Sequence, residues 1–351
     1  MKIRDLVRYL EQVAPPDYQE AYDNAGLIVG NPDTALQGVL ICLDSTEAVI
    51  EEAVAKGCNL VIAHHPIVFK GLKRLTGRNY VERTVIKAIR EEVAIYAIHT
   101  NLDNVYREGV NTEIARRLEL TDTRLLAPKC ELKKLSSFIP ALHRNQVEAA
   151  LIKAGADQVA FTHQTSYSTV AVQGNNGFEA EYLKLEALFT SAHRPAILRA
   201  LYDSQPDREV HYDIAAVENH SPSVGAGMIG RLKAPMSEQA FLYLLKDRMQ
   251  TPCIRHTRRL GKPVRRVAVC GGAGSFLRGR AIAQGADAFV TADFKYHEFF
   301  DADGHLLIAD IGHYESEQFT IELLHGIISE KFSNFAAYCT EVNTNPVQYL
   351  Y

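Results

Sequence analysis

The sequence predicts an α/β fold of mainly parallel or mixed sheets flanked by helices, with a smaller α/β unit inserted in the middle. Two observations predict this fold. Short apolar runs alternate with amphipathic helical segments in the first and last thirds of the 351-residue chain. Such alternation is typical of βαβ units, in which helices cover a buried, mainly parallel sheet. The middle third follows a different element order, which predicts a separate unit.

The first third opens with an amphipathic helix that begins at Ile3 and is stopped by Pro15-Pro16. Apolar runs bounded by polar residues then predict three strands, and helical periodicity predicts the helices between and after them. The strands are expected at Gly38–Leu43, Asn59–Ala63 and Val93–Ile98, and the helices at Ser45–Lys56, Tyr80–Glu91 and near Asn111–Leu118.

The last third repeats this pattern. Its predicted strands are Val264–Cys270, Ala286–Thr291, Leu306–Ile311 and Phe335–Val342. Its predicted helices are one that follows Gly271–Ser275 and runs to Gln284, a short one at Lys295–Asp301, and a long one at Glu315–Phe332.

In the middle, the elements follow the β-α-β-β-α-β order of a ferredoxin-like unit. Residues 128–224 are therefore expected to form an inserted domain without metal ligands, and residues 1–127 and 225–351 one discontinuous domain. The strands are predicted at Leu132–Ile139, Asp157–Thr162, Leu183–Phe189 and Val210–Val217, the helices at Arg144–Ala154 and Arg194–Tyr202, a turn at Gly174–Gly177, and a loose exit at Asn219–Gly227.

Composition excludes several classes of protein. The formal net charge is −4 and the apolar content 47%, which is ordinary for a globular protein and does not favour bulk nucleic-acid or membrane binding. No apolar run reaches the ~20 residues of a membrane span, and early charges argue against a signal peptide. The six cysteines form no C-x-x-C pair, so we expect reduced core thiols in a cytoplasmic protein.

Three histidine-acid stretches each follow a predicted strand. Because the carboxyl ends of strands in an α/β sheet form one ligand-binding edge, we expect these stretches to meet. Imidazoles and carboxylates together suit a divalent metal, and carboxylates able to bridge favour two metals. Taken singly, His99 could fill core and Asp103 could cap a turn. The stretches are His64-His65, His99 with Asp103, and His313 with Glu317.

Asp293 and His297 form a fourth pair at i, i+4 spacing, also just past a predicted strand. Metal-bound imidazoles need an acceptor for their second nitrogen, and a metal hydrolase often needs a group that moves protons. Either role fits this pair. The alternative is the solvated start of a surface helix.

Two glycine-rich stretches differ in how well they match a phosphate- or nucleotide-binding motif. Gly225-x-Gly227-x-x-Gly230 matches a dinucleotide-binding pattern but lacks the strand–turn–helix context, since Ala234-Pro235 predicts an extended segment. Gly271–Ser275 does lie between a strand and a helix. It either presents backbone N–H groups to an anion or forms a plain tight turn.

Together these motifs resemble the Nif-three-like family, also known as GTP cyclohydrolase 1 type 2 homologues. The middle of the chain resembles the PII-like insert of the longer members by pattern and length. One departure is Thr291-Ala292-Asp293, where the family tends to have Thr-Gly-Asp. The matching stretches are Tyr22–Leu27, His64-His65-Pro66, His99–Asp103, Cys270–Ser275, Gly285-Ala286-Asp287, Thr291–His297, Gly312–Glu317 and Asn345-Pro346-Val347.

The resemblance implies a toroidal homohexamer with two divalent metals per subunit, held by His64, His65, Asp103, His313 and Glu317 with the carboxylates bridging. A set of this kind suits Zn, Fe, Mn or Ni. The function we expect is a metal-dependent hydrolase acting on a small-molecule substrate: a nucleotide, a phosphoester or an amide or ring C–N bond. Asp293 or His297 would move protons. The rival is a ring without catalytic activity that stores or delivers metal or senses small molecules through the insert.

Overall fold

The computed structural model describes residues 1–129, 131–163, 182–205, 209–333 and 335–350. The turn expected at 174–177 lies outside these residues, as does Cys130. The chain divides into two compact units. The first comprises Met1–Pro128 with Pro222–Tyr351, and the second comprises Lys129–Ser221.

The first segment of the larger unit alternates helices with short strands, most of them buried. Its helices and strands are α1 (Ile3–Val13), β1 (Gly26–Val29), β2 (Val39–Cys42), α2 (Glu47–Ala55), β3 (Leu60–Ala63), α3 (Tyr80–Arg90), β4 (Ala94–Ala97), α4 (Thr100–Asp103), α5 (Val110–Arg117) and β5 (Thr121–Pro128).

The smaller unit has the predicted order of elements. These are β6 (Glu131–Pro140), α6 (Arg144–Lys153), β7 (Gln158–His163), β8 (Tyr182–Thr190), α7 (Arg194–Asp203) and β9 (Tyr212–His220). The four strands form an antiparallel sheet in the order β7-β8-β6-β9. Val147, Leu151, Ile197 and Leu201 of the two helices pack with alternate residues of β6 and β8 in a core of this unit's own.

The second segment of the larger unit contains the remaining elements. They are β10 (Gly225–Ser237), α8 (Glu238–Arg248), β11 (Arg255–His256), β12 (Pro263–Ala273), α9 (Arg278–Ala283), β13 (Ala288–Ala292), β14 (Leu307–Asp310), α10 (His313–Glu317), α11 (Thr320–Lys331) and β15 (Ala337–Cys339).

Two mixed sheets organise the larger unit. The first has the order β1-β4-β3-β2-β15, and its four strands from β4 to β15 are mutually parallel. The second has the order β11-β14-β13-β12-β10-β5, with β12, β13 and β14 parallel. The predicted α/β class with mixed sheets flanked by helices is therefore confirmed. The parallel strands at the centre are buried on both faces, which explains why they are visible in the sequence as continuous apolar runs.

One large core joins the two sheets. Apolar side chains from the first sheet, such as Ile41 and Tyr96, belong to the same buried cluster as Val267 and Val290 of the second sheet. Helices α1, α5, α8 and α11 contribute to this cluster. Separate apolar clusters cover the other face of each sheet. Cys42 and Cys270 are buried as expected, and in the described part of the chain Cys42, Cys58, Cys253 and Cys339 are free thiols. The described helices also lack any segment with the length and apolar character needed to cross a membrane.

The structure differs from the predicted elements in four strands and in one helix. Strands β1, β5, β10 and β11 were not predicted, and β10 replaces part of the loose exit expected after Asn219. Strand β10 is hard to recognise because its glycines and Pro235 interrupt the apolar pattern. The register between β10 and β12 shifts between Arg231 and Met236, which accommodates the missing N–H of Pro235. The predicted long helix Glu315–Phe332 is wrong, because the chain breaks at Gln318 and Phe319 into α10 and α11.

Two glycines with open space around them test how backbone conformation limits stability. Gly326 lies within α11, and Gly304 lies in a turn with φ +69°. Replacing Gly326 with Ala should raise the free energy of unfolding by about 0.5–1 kcal/mol, because alanine restricts the unfolded chain and favours helix. Gly304→Ala should lower it by about 1–2 kcal/mol, because a left-handed φ is unfavourable for an L-residue. Denaturant unfolding measures both, and equal effects of the two variants would contradict this explanation.

Candidate metal centre

The predicted histidine-acid stretches lie at the carboxyl ends of strands in both sheets. His64 and His65 follow β3, and their N–H groups still donate to the carbonyls of Cys42 and Leu43 at the end of β2 (3.1 and 2.9 Å). Helix α4, which carries Asp103, follows β4, and α10 follows β14. Because these strand ends lie next to the shared core, residues about 250 positions apart meet on a rigid support.

The centre of the site is a group of three side chains. His64, His65 and Glu317 each offer one ligand atom, and these atoms all lie within 4.8 Å of one another. The His64 and His65 rings both reach this point, with centroids 4.9 Å apart, although neighbours in a regular strand would point to opposite faces. Such a group could hold a metal ion.

Glu317 joins two sets of ligand atoms. Its Oε1 lies 3.8 Å from Nε2 of His64, and that nitrogen is 3.5 Å from Oδ1 of Asp103. Its Oε2 lies 3.0 Å from Nε2 of His65 and 3.1 Å from Nε2 of His313. The two nitrogens of His65 and His313 are themselves 3.3 Å apart. Each oxygen of the carboxylate therefore faces its own set of donor atoms.

Each imidazole is fixed through its Nδ1, so that the tautomer and the ring orientation are set. Three acceptors are aspartates and one is a backbone carbonyl. His64 donates to Ile98 O at 2.8 Å, His65 to Asp44 at 2.8 Å, His99 to Asp23 at 2.8 Å and His313 to Asp293 at 2.6 Å. For His64, His65 and His313, Nε2 is the atom that faces Glu317.

Two buried ligand atoms lack partners that a bound cation would provide. Nε2 of His64 and Oδ1 of Asp103 are buried, and within the described residues neither has a hydrogen-bond partner. A buried polar atom without a partner is costly and calls for an explanation. Since Nδ1 of His64 already donates to a carbonyl, its Nε2 is left with a lone pair. A metal ion coordinated by both atoms would satisfy them.

The pKa shifts of the acidic residues in the site also favour a bound cation. Burial and the charge of Glu317 raise the pKa of Asp103 well above its usual range. Burial would also raise the pKa of Glu317, but the adjacent His313 and His65 hold it well below its usual range. The charge of Glu317, together with Asp293, raises the pKa of His313 to about 11. Without a metal, protons on His65 and His313 balance the charge of Glu317, and a divalent ion would displace them on binding.

The Gly271–Ser275 stretch packs against Glu317 rather than forming an anion-binding loop. The N–H of Gly271 donates to Asn111 (3.1 Å) and the N–H of Gly272 donates to Ser316 (2.9 Å), so both are occupied. A Cβ added at Gly272 would lie 2.4 Å from Oε1 of Glu317. The stretch is not a separate tight turn, because Gly271, Gly272 and Ala273 are the last residues of β12. Gly272 has φ +60° there, and glycine is needed because Glu317 packs directly against its backbone.

The structure separates Asp293 from His297. Asp293 accepts the hydrogen bond from His313, so it serves as the acceptor for a candidate ligand. His297 is exposed, and its ring packs on Tyr296 at 5.1 Å, away from the candidate ligands. The i, i+4 argument fails because the backbone turns at Asp293 (φ +58°) and the following 3-10 helix, Tyr296–Ala302, begins only after it.

The site opens into a cavity of about 1320 Å³. His65, His99, Asp103, His313 and Glu317 lie in its wall. Apolar and aromatic side chains form other parts of the wall, among them Tyr22, Phe69, Tyr80 and Phe276. This volume is large enough to admit a small molecule next to the candidate ligands.

Sequence reasoning gave no role to Asp23 and Asp44, which orient His99 and His65. Asp23 is held by His99 and by the N–H of Thr100 (3.0 Å). Burial opposes ionisation of Asp23, but these hydrogen bonds outweigh it and lower its pKa to about 2. The available signal was chemical: each candidate histidine needs an acceptor, and Asp44 directly follows a predicted strand.

Comparison with known proteins places the chain in a family. Residues 1–346 match the Duf34/NIF3 (NGG1p interacting factor 3) family. The chain belongs to this family. The resemblance found in the motifs is thereby confirmed over nearly the whole length, including both parts of the larger unit.

Relatives of similar length share this assignment. A Bacillus subtilis protein named "GTP cyclohydrolase 1 type 2 homolog" is 33% identical over 99% of this chain and 98% of its own. A Halalkalibacterium halodurans protein of the same name is 32% identical over 98% of both chains. The crystal structure of a Bacillus cereus protein related to NIF3 is 31% identical, covers 100% of this chain and 99% of its own, and has a TM-score of 0.85.

The contact between Gly272 and Glu317 leads to a prediction. Gly272→Ala should push Glu317 out of place and weaken divalent-metal binding at least ~10-fold, the effect typical of disturbing a ligand's support. Isothermal titration with Zn²⁺ measures this. Gly304→Ala is the matched control, because it has a similar φ (+69° against +60°) but open space at the Cβ position. If both variants bound Zn²⁺ like the unaltered protein, the role given to Gly272 would be wrong.

Proposed function

We propose that this protein is a hydrolase with two divalent metals per chain at the strand-end site. The observation that carries the proposal is the division of ligand atoms around Glu317. One oxygen faces His64, which lies beside Asp103, and the other faces His65 and His313. A single buried carboxylate between two sets of donors suits the bridging position of a dinuclear centre.

In this proposal the first metal would be held by His64, Asp103 and Glu317, and the second by His65, His313 and Glu317. Imidazole and carboxylate ligands suit Zn, Fe, Mn or Ni. The buried atoms of His64 and Asp103 that lack partners support the first position. The short approach of the His65 and His313 nitrogens supports the second.

Two divalent ions at such a site supply a water of lowered pKa and hold a substrate oxygen. The protein's own residues position the ligands and shape the substrate space. Asp44, Asp293 and the Ile98 carbonyl orient the three imidazoles. His99 is held by Asp23 and lines the cavity, so it is the residue we assign to proton transfer with substrate, in place of His297.

The substrate classes that fit are a nucleotide, a phosphoester and an amide or ring C–N bond. The relatives' printed name, GTP cyclohydrolase 1 type 2 homolog, supports testing a purine nucleotide first. Aromatic side chains in the cavity wall, including Tyr22 and Phe276, provide faces on which a planar ring can stack. The homohexamer implied by the motif resemblance stays a prediction.

The test is metal content followed by turnover. Glu317→Ala should reduce bound metal from two ions per chain to less than one and abolish hydrolysis, because both positions lose a ligand. Glu322→Ala is the matched control: Glu322, on α11, is 66% exposed and pairs with Arg117 of α5, outside the site. Elemental analysis after metal loading, then a screen of nucleotides and phosphoesters, measures both quantities.

Full two-metal occupancy in Glu317→Ala would contradict the ligand assignment. Exchangeable metal in the unaltered protein without hydrolysis of any substrate class would leave the metal centre in place but overturn the hydrolase. That outcome would favour metal storage or delivery.

A further inference from the structure

The last residues of the chain return to the site. Residues 343–350, here named the C-terminal tail, follow β15 and form neither helix nor strand. Asn345, Pro346, Val347 and Tyr349 of this tail line the cavity that contains the candidate ligands. A segment without regular structure thus forms part of the wall beside the site.

Side-chain hydrogen bonds give the tail its shape. Oδ1 of Asn343 accepts from the N–H of Asn345 at 2.9 Å, and Oδ1 of Asn345 accepts from the N–H of Val347 at 3.0 Å. Asparagine bonds of this kind replace the backbone bonds of a regular element. The conformation of the tail is therefore specified by its own sequence.

The first contact of the tail reaches His65. Oγ1 of Thr344 donates to Oδ2 of Asp44 at 2.8 Å. The other oxygen of Asp44, Oδ1, accepts from Nδ1 of His65 at 2.8 Å. Asp44 is 36% exposed, so it needs a second partner to hold the plane of its carboxylate. Thr344 supplies that partner.

The second contact reaches α10. Nδ2 of Asn345 donates to Oε1 of Glu315 at 3.1 Å. Glu315 is only 4% exposed, and it lies between His313 and Glu317 on the same short helix. Tyr349 adds to this contact: its hydroxyl donates to Glu315, and burial together with the charge of Glu315 raises the pKa of Tyr349 to about 12. The tail thus contacts Asp44, which holds His65, and α10, which carries His313 and Glu317.

From these contacts we infer that the C-terminal tail is a positioning element of the metal centre: Thr344 orients His65 through Asp44, and Asn345 holds α10 through Glu315. The inference rests on the proposed function, because it assumes that His65, His313 and Glu317 bind metal. Groups that orient ligands from behind typically change metal affinity by about 10–100-fold. The tail should therefore affect metal affinity although it supplies no ligand.

The test uses Co²⁺, whose visible absorption reports ligand geometry, with calorimetry for affinity. Thr344→Val keeps the shape of the side chain and removes the hydroxyl, and it should weaken Co²⁺ binding at the second position about 10-fold and alter the spectrum. Thr344→Ser restores the hydroxyl and should restore both. Thr340→Val is the matched control, because Thr340 lies between β15 and the tail and its hydroxyl donates to Glu52, outside the site.

A second variant tests the other contact without removing the tail's shape. Asn345→Asp keeps the oxygen that accepts from Val347 but replaces the donor to Glu315 with a negative charge. It should also weaken Co²⁺ binding about 10-fold or more. Thermal unfolding of each variant without metal shows whether the fold is retained.

The outcomes separate the two proposals. If Thr344→Val and Asn345→Asp bind Co²⁺ with the affinity and spectrum of the unaltered protein, the positioning role is wrong while the metal centre stands. If Thr340→Val loses as much affinity as Thr344→Val, the effect is a general one on the C-terminus and the positioning role is also wrong. If the unaltered protein binds no Co²⁺, the proposed metal centre itself fails, and the inference fails with it.

Discussion

The site depends on one buried carboxylate. Glu317 is 2% exposed, and its two oxygens face three imidazole nitrogens at 3.0–3.8 Å. A buried charge is costly unless charged or hydrogen-bonding groups compensate it. The imidazoles do so here, and the surrounding aspartates fix the imidazoles in turn. Burial and the neighbouring Glu317 raise the pKa of Asp103, so its charged form is disfavoured without a cation beside it. This arrangement is what a divalent-metal site requires.

The fold provides the rigidity that such an arrangement needs. Two mixed sheets share one core, and the ends of β3, β4 and β14 point the candidate ligands at a common place. Gly272 lets the backbone approach Glu317 more closely than any residue with a Cβ would allow. Residues of the C-terminal tail line the same cavity. The site is therefore built from residues of the first third, the last third and the end of the chain.

The sequence was informative where the type of a residue and the residues next to it in the chain indicate the same role. Buried parallel strands leave continuous apolar runs, and the position of His64-His65 at the end of one such run is enough to predict a ligand pair. Strand β10 was missed because its pairing with two neighbours overrides a poor local pattern. His297 was misplaced because a left-handed residue at Asp293 breaks the helical spacing. Asp23 and Thr344 could not be assigned, since their roles arise from contacts with residues 76 and 300 positions away.

The central claim is that Glu317 bridges two metals. Anomalous X-ray diffraction from crystals of the Zn²⁺-loaded protein, collected on both sides of the zinc absorption edge, tests it most directly. The account predicts two peaks per chain: one beside His64 and Asp103, the other between His65 and His313, with an oxygen of Glu317 on each. A single peak coordinated by one Glu317 oxygen, or no peak at these residues, would contradict it.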